Sequence, residues 1–186
     1  MGDVRLGKGT TSVHRIHELN VSIRDAVSSD LPMFDRIDRI ADLQFPPGRL
    51  PDEEEDVEEA EYLKAIEGGW LLVVTVEDAV VGYLWCVEHG DVLHLRQITV
   101  HPGQGRRGLG RALIAEMVHR AKHRGMSSIT LTTFADIPWN APFYRRVGFS
   151  MVDAPERYPH LRGALRHEQQ LGMDQRVGMI MALDRS

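Results

Sequence analysis

The stretch Val100-His101-Pro102-Gly103-Gln104-Gly105-Arg106-Arg107-Gly108-Leu109-Gly110-Arg111-Ala112-Leu113 joins a β-rich segment to a helical one through a loop with four glycines. Upstream, Val92 to Val100 is rich in branched residues, as strands are. Downstream, Leu109, Leu113, Met117 and Ala121 step by four along a helix that stops at Gly125. The first amides of a helix have no partner in their own helix, and the dipole is positive there. Glycines let backbone come close to a ligand, and Arg106, Arg107 and Arg111 add cations suited to phosphate. The loop therefore reads as an anion site at the start of a long helix.

Working outward, Trp70 to Val76, Val80 to Val87 and Val92 to Val100 are separated only by short polar connectors, which predicts an antiparallel meander. Before it, Val21 to Arg24 alternates like a half-buried strand. Leu31, Phe34, Ile37 and Ala41 mark a helix that Ser29 or Asp30 can cap and that ends before Pro46-Pro47-Gly48. A second helix starts in the acidic run from Asp52, carries Val57, Ala60, Leu63 and Ile66 on one face, and stops at Gly68-Gly69. After the long helix, Ser127 to Phe134 returns to strand. Asn140 then caps a short helix through Val147, with Gly148 in the C′ place. A strand near Phe149 to Val152, a polar helical stretch from Pro155 to Gly172, and a last strand from Arg176 to Leu183 follow. The expected fold is α/β: a mixed, mostly antiparallel central sheet of about seven strands flanked by helices. Residues 1–20 read as a flexible N-terminal extension and residues 21–186 as a single domain.

Composition narrows the function. With 186 residues, 42% hydrophobic and 26% charged, the chain has the make-up of one globular domain. A net charge of −5 argues against a nucleic-acid partner, whose phosphates call for a basic surface. A single Cys excludes a disulfide framework, and nothing has metal-ligand spacing, so no metal is expected. Apolar runs are broken within about ten residues, against roughly 20 for a membrane span. With no secretion signal read at the start, the expectation is a cytoplasmic protein without a membrane partner.

Three phosphate-binding patterns compete for the loop. Gly103-x-Gly105-x-x-Gly108 fits a dinucleotide fingerprint, but a meander precedes it, and the acid due about 20 residues later is missing. Gly103 and Gly108 have P-loop spacing, yet Leu109-Gly110 stands where Lys-Ser/Thr is needed. The third pattern fits loop and context together. Gly105-Arg106-Arg107-Gly108-Leu109-Gly110 resembles the Q/R-x-x-G-x-G/A loop of the GNAT family of N-acetyltransferases, with Gly105 replacing the usual first residue and Gln104 beside it. Asn140-Ala141-Pro142-Phe143-Tyr144, running on to Gly148-Phe149, resembles the segment that follows the family's fifth strand.

That resemblance implies a mostly antiparallel acyl-transferase sheet and acetyl-coenzyme A as co-substrate. It implies cofactor contacts from Ile98, Thr99 and Val100, from Gly105, Arg106, Arg107, Gly108, Leu109, Gly110 and Arg111, and from Asn140 and Phe143. It also implies direct transfer: a neutral amine attacks the thioester carbonyl, and the coenzyme leaves as a thiolate. Tyr144 matches the general acid, since a phenol with a pKa near ~10 is protonated at neutral pH. His94 falls where relatives carry a base, with a hydrogen-bonded structural histidine as the alternative; Asp136 ranks second. The acceptor is expected to be the primary amine of a small molecule, with a protein lysine or N-terminus, or a non-catalytic acyl-coenzyme A sensor, as alternatives. Phe45-Pro46-Pro47-Gly48-Arg49-Leu50 is expected to border the acceptor cleft, and Trp139 either floors it or packs elsewhere. The segment from Pro155 to Gly172 either covers the cleft or makes a homodimer interface.

Overall fold

The structure, a computed structural model, describes residues 12–13, 20–51 and 57–184. Its strands are β1 (Ser12–Val13), β2 (Val21–Asp25), β3 (Leu71–Val76), β4 (Ala79–His89), β5 (Val92–Val100), β6 (Ser128–Phe134), β7 (Ser150–Met151) and β8 (Arg176–Ala182). Its helices are α1 (Pro32–Asp42), α2 (Glu59–Glu67), α3 (Leu109–His123), α4 (Ala141–Arg146) and α5 (Pro159–Gln170). The strands form one sheet in the order β1-β2-β3-β4-β5-β6-β8-β7. The β5–β6 pair is parallel, and the other neighbours are antiparallel. This is the mixed, mostly antiparallel sheet the pattern called for.

β3 is buried along its whole length, because both faces of the sheet are covered there. Alternation splits its side chains between two cores. Leu72, Val74 and Val76, with Leu84 and Cys86 of β4, pack under Leu113, Met117 and Ala121 of α3. On the other face, Leu71, Val73, Tyr83 and Trp85 meet Phe34 of α1 and Ala65 of α2. Phe34 stacks on Tyr83 with ring centroids 4.0 Å apart, and the Tyr83 hydroxyl donates to Asp38 on the same helix.

Several local expectations need correction. Ser12 and Val13 pair with Ile23 and Ser22, so the stretch before residue 20 includes a short edge strand. The second helix begins at Glu59; Asp52 to Asp56, where its start was expected, lie outside the described residues. Neither Ser29 nor Asp30 caps α1, since Leu31 is already helical ahead of Pro32. Asp30 instead turns back to accept from the Val27 amide at 2.9 Å and from both terminal nitrogens of Arg24 at 2.7 and 2.9 Å. Burial works to raise its carboxyl pKa, but these donors together hold it below the ordinary carboxylate range. Asn140 precedes α4 in the cap position, yet its carbonyl, not its side chain, makes the bonds, accepting from Phe143 and Tyr144 at 2.8 and 3.0 Å. The last strand, β8, lies between β6 and β7.

Candidate active site

β5 decides the geometry. Leu93 and Leu95 point to the α3 side, and so do Ile98 and Val100. That phase change requires an extra residue, and the pairing with β4 shows it. Trp85 faces Gln97 and Cys86 faces Leu95, which leaves Arg96 as a β-bulge. The parallel pairing with β6 stops at the same place: Val92 to Leu95 are matched to Ser128 to Leu131, and no further. β6 continues to Phe134 against β8, so β5 and β6 part in a V.

The edge thus freed offers donors. A side chain on Gly82 would begin 2.7 Å from the Thr99 carbonyl, so that carbonyl faces β4. The His101 amide also faces β4, donating to the Val81 carbonyl at 2.8 Å. Groups on a strand alternate in direction, so the Ile98 and Val100 amides face the gap.

The glycine loop closes one end of the gap. Pro102–Gln104 forms a single 3-10 turn, and the Gly103 amide donates to Nδ1 of His101 at 3.1 Å. Arg106 and Gly108 take left-handed conformations with φ of 58° and 81°. The first helical bond runs from the Ala112 amide to the Gly108 carbonyl, which leaves the amides of Leu109, Gly110 and Arg111 without helical partners. Leu109 anchors this turn in the core. A Cβ on Gly110 would lie 3.8 Å from Phe143 and 4.0 Å from Ile98 and Val100, so the turn sits directly over the end of β5 and over α4. Such a cradle of free amides, glycine and arginine fits a diphosphate.

Most of the residues expected at the site line one cleft of about 610 Å³: Ile98, Thr99, Val100, Gly105, Arg106, Gly108, Leu109, Gly110, Arg111, Asn140, Phe143 and Tyr144. Phe45, Leu50 and Trp139 line it as well, with Phe134 of β6. The Tyr144 ring lies against Phe143 and Phe149, and burial raises its pKa, a tendency the charge on Arg176 opposes in part. Two expected residues are not among the lining. Arg107 is turned back into the loop, donating to Oε1 of Gln104. His94 is on the other face of the sheet, 3% exposed, with Nδ1 3.0 Å from the Thr130 hydroxyl and His89 and His160 as ring neighbours. Burial first, then His160, Arg96 and His89, lowers its pKa to about 3. The alternation that turns Leu93 and Leu95 toward α3 turns His94 to the opposite face, where it is buried and hydrogen-bonded, outside the cleft lining. Asp136 is likewise absent from the lining and pairs with Arg49.

Sequence reading missed Arg96, Gln97, Thr132 and Arg176, all of which line the cleft. Adjacent polar residues at Arg96-Gln97, inside an otherwise alternating strand, were the available signal for the bulge. Arg176 is held by Glu168 of α5 at 2.6 Å, with its guanidinium over Phe134, 4.6 Å from the ring centre. No helix among the described residues is long and apolar enough to cross a membrane.

A sheet split beside a glycine-led helix is the architecture of the acyl-coenzyme A N-acyltransferase class. Residues 34–149 match the model described as Acetyltransferase (GNAT) family, which is more than half of the chain, and the chain belongs to that family. Among solved structures it is similar to PaiA N-acetyltransferase from Thermoplasma acidophilum in complex with coenzyme A, with a TM-score of 0.68 and 15% identity, over 88% of this chain and 99% of that one. It is similar to the ribosomal-protein alanine N-acetyltransferase from Escherichia coli, with a TM-score of 0.65 and 18% identity, over 89% of this chain and 96% of that one. It also resembles N-acetylglutamate synthase from Neisseria gonorrhoeae complexed with coenzyme A and N-acetyl-glutamate, with a TM-score of 0.67 and 20% identity, over 89% of this chain but 35% of that one.

Proposed function

We propose that the protein transfers the acetyl group of acetyl-coenzyme A directly to the primary amine of a small molecule in the cytoplasm. The observation that carries this reading is the convergence on one cleft of three groups: the α3 amides, the Ile98 and Val100 amides, and the Tyr144 phenol. Gly105, Arg106, Gly108, Leu109, Gly110 and Arg111 hold the diphosphate, and Asn140 and Phe143 flank the carrier. The open edge of β5 at Ile98, Thr99 and Val100 takes its amide arm and receives the charge that develops on the thioester oxygen. As the new C–N bond forms and the C–S bond breaks, Tyr144 gives its proton to the departing sulfur, and the surplus proton on the acylated nitrogen returns through water to restore the phenol. A phenol raised by burial is fully protonated at neutral pH and so ready for that step.

The amine reacts as its free base, and among the described residues Asp42 is the carboxylate in the cleft lining. A small acceptor is favoured because Phe45, Leu50, Phe134 and Trp139 wall that end of the cleft with apolar surface. Calorimetry with coenzyme A, together with acetylation of amine and peptide panels by the wild type and Tyr144→Phe, tests this reading. Turnover should fall about 10²- to 10⁴-fold in the variant while coenzyme affinity stays within about twofold. A wild type that binds no coenzyme A would end the proposal, and acetylation confined to peptides would replace the acceptor class.

A further inference from the structure

On the sheet face opposite α3, α2 packs over β3 and β4, α1 over β4 and β5, and α5 over β6 and β8. α1 meets β5 where Gln97 approaches Asp38 at 3.5 Å. Arg96, the bulge residue, lies next to Gln97 on β5. Its side chain is exposed, borders the cleft, and rests with its guanidinium 5.6 Å from the ring centre of Trp85.

Near Phe134, Arg49 pairs with Asp136 and Arg176 with Glu168. Among the described residues no carboxylate pairs with Arg96. It is also too distant to serve the carrier's diphosphate, since Val100 is four residues further along β5, roughly 13 Å in extended chain, and the loop lies beyond that. A bulge costs a strand its regular pairing, and here the extra residue carries an exposed guanidinium at the border of the cleft.

We infer that the acceptor is an amine that also carries a carboxylate, and that Arg96 at the β5 bulge is the residue that binds the carboxylate. A guanidinium matches a carboxylate with two parallel hydrogen bonds, so it fixes orientation as well as charge. With the acid held at Arg96, the aromatic wall takes an apolar side chain, and the amine is directed toward the parted strands. This inference rests on the acetyl-transfer reading and adds the chemical class of its acceptor.

Matched probes differing only in the carboxylate test it: leucine against 3-methylbutylamine, and phenylalanine against 2-phenylethylamine. Each is titrated calorimetrically into coenzyme A-saturated protein and assayed for acetylation. In the wild type, the better-bound amino acid should bind about tenfold or more tightly than its amine, the range expected for a charge-assisted contact. Arg96→Gln should erase that preference and raise the amino acid's KM about tenfold to a hundredfold, with kcat and coenzyme affinity nearly unchanged. Arg96→Lys should recover part of it. Equal binding of both members in the wild type, binding of neither, or equal weakening of both in Arg96→Gln would overturn the inference while leaving coenzyme binding intact. Loss of coenzyme A binding by the wild type would instead overturn the acetyl-transfer reading, and this inference with it.

Discussion

Tyr144 and His94 both carry titratable protons, and burial moves their pKa values in opposite directions. Tyr144 borders the cleft beside Phe143 and Phe149, and the burial that raises its pKa keeps the phenol protonated, as the proposed transfer requires. His94 shares the Thr130 hydroxyl with His160, whose Nε2 is 2.9 Å from it, and His89 stacks on His160 with centroids 4.4 Å apart. An unfolded imidazole titrates near ~6.5. The folded His94 resists protonation down to about 3. Below pH ~6.5 the unfolded chain therefore binds the extra proton. The stability that neutral His94 contributes is complete above that pH and is lost progressively as pH falls toward 3. His89 and His160 are lowered as well, chiefly by burial, and act in the same direction. The melting temperature is expected to drop by roughly 4–8 °C between about pH 7 and 5, and His94→Leu should flatten that slope. Differential scanning fluorimetry across this range checks it; an unchanged slope in the variant would assign the acid sensitivity to other groups.

At the scale of elements, the β4–β5 contact carries both fold and site. A Cβ on Gly82 would meet the Thr99 carbonyl at 2.7 Å and Val100 at 3.0 to 3.1 Å, and backbone cannot step aside as a flexible side chain can. Gly82→Val should therefore displace the edge that offers the Ile98 and Val100 amides, weakening coenzyme A binding at least about tenfold and destabilising the chain by about 1–3 kcal/mol. Gly108→Ala makes a useful contrast. Its Cβ would meet nothing within 4 Å, but its φ is 81°, so the cost is backbone strain alone, about 1 kcal/mol. Urea denaturation and calorimetry on both variants separate the effects. Much at this scale was legible beforehand, because periodicity and glycine placement are local. The meander, the long helix and Gly148 after α4 all follow from neighbouring residues. Caps were read less well: Asp30 and Asn140 had the right chemistry, but Arg24 claimed one side chain and a carbonyl did the work of the other.

Across the whole molecule, α5 shows how a segment of unassigned purpose is used. Leu161 is fully buried and lies over Gly178 of β8, where a Cβ would come within 2.7 Å of it. At the other end of the helix, Glu168 holds Arg176 and the Thr132 hydroxyl beside the cleft. Among the described residues the exposed large apolar side chains are Val27, Leu43, Leu63 and Trp139, none of them on α5. Leu161→Ala should cost about 2–4 kcal/mol and loosen the acceptor end, raising the acceptor's KM more than the coenzyme's. Denaturation midpoints and steady-state kinetics measure the two effects.

Read alone, the chain determined its strands and helices, the anion-binding character of the Val100-to-Leu113 loop, and the phenol at Tyr144, because each depends on spacing within a few residues. Tertiary structure alone decided that β5 leaves β6 at Leu95, that His94 is buried against Thr130 and outside the cleft lining, and that Arg96 lies exposed at the cleft's border. Those outcomes depend on pairing between β4, β5 and β6, strands brought together from distant parts of the chain, and a one-residue shift in that pairing reverses the face every later side chain presents.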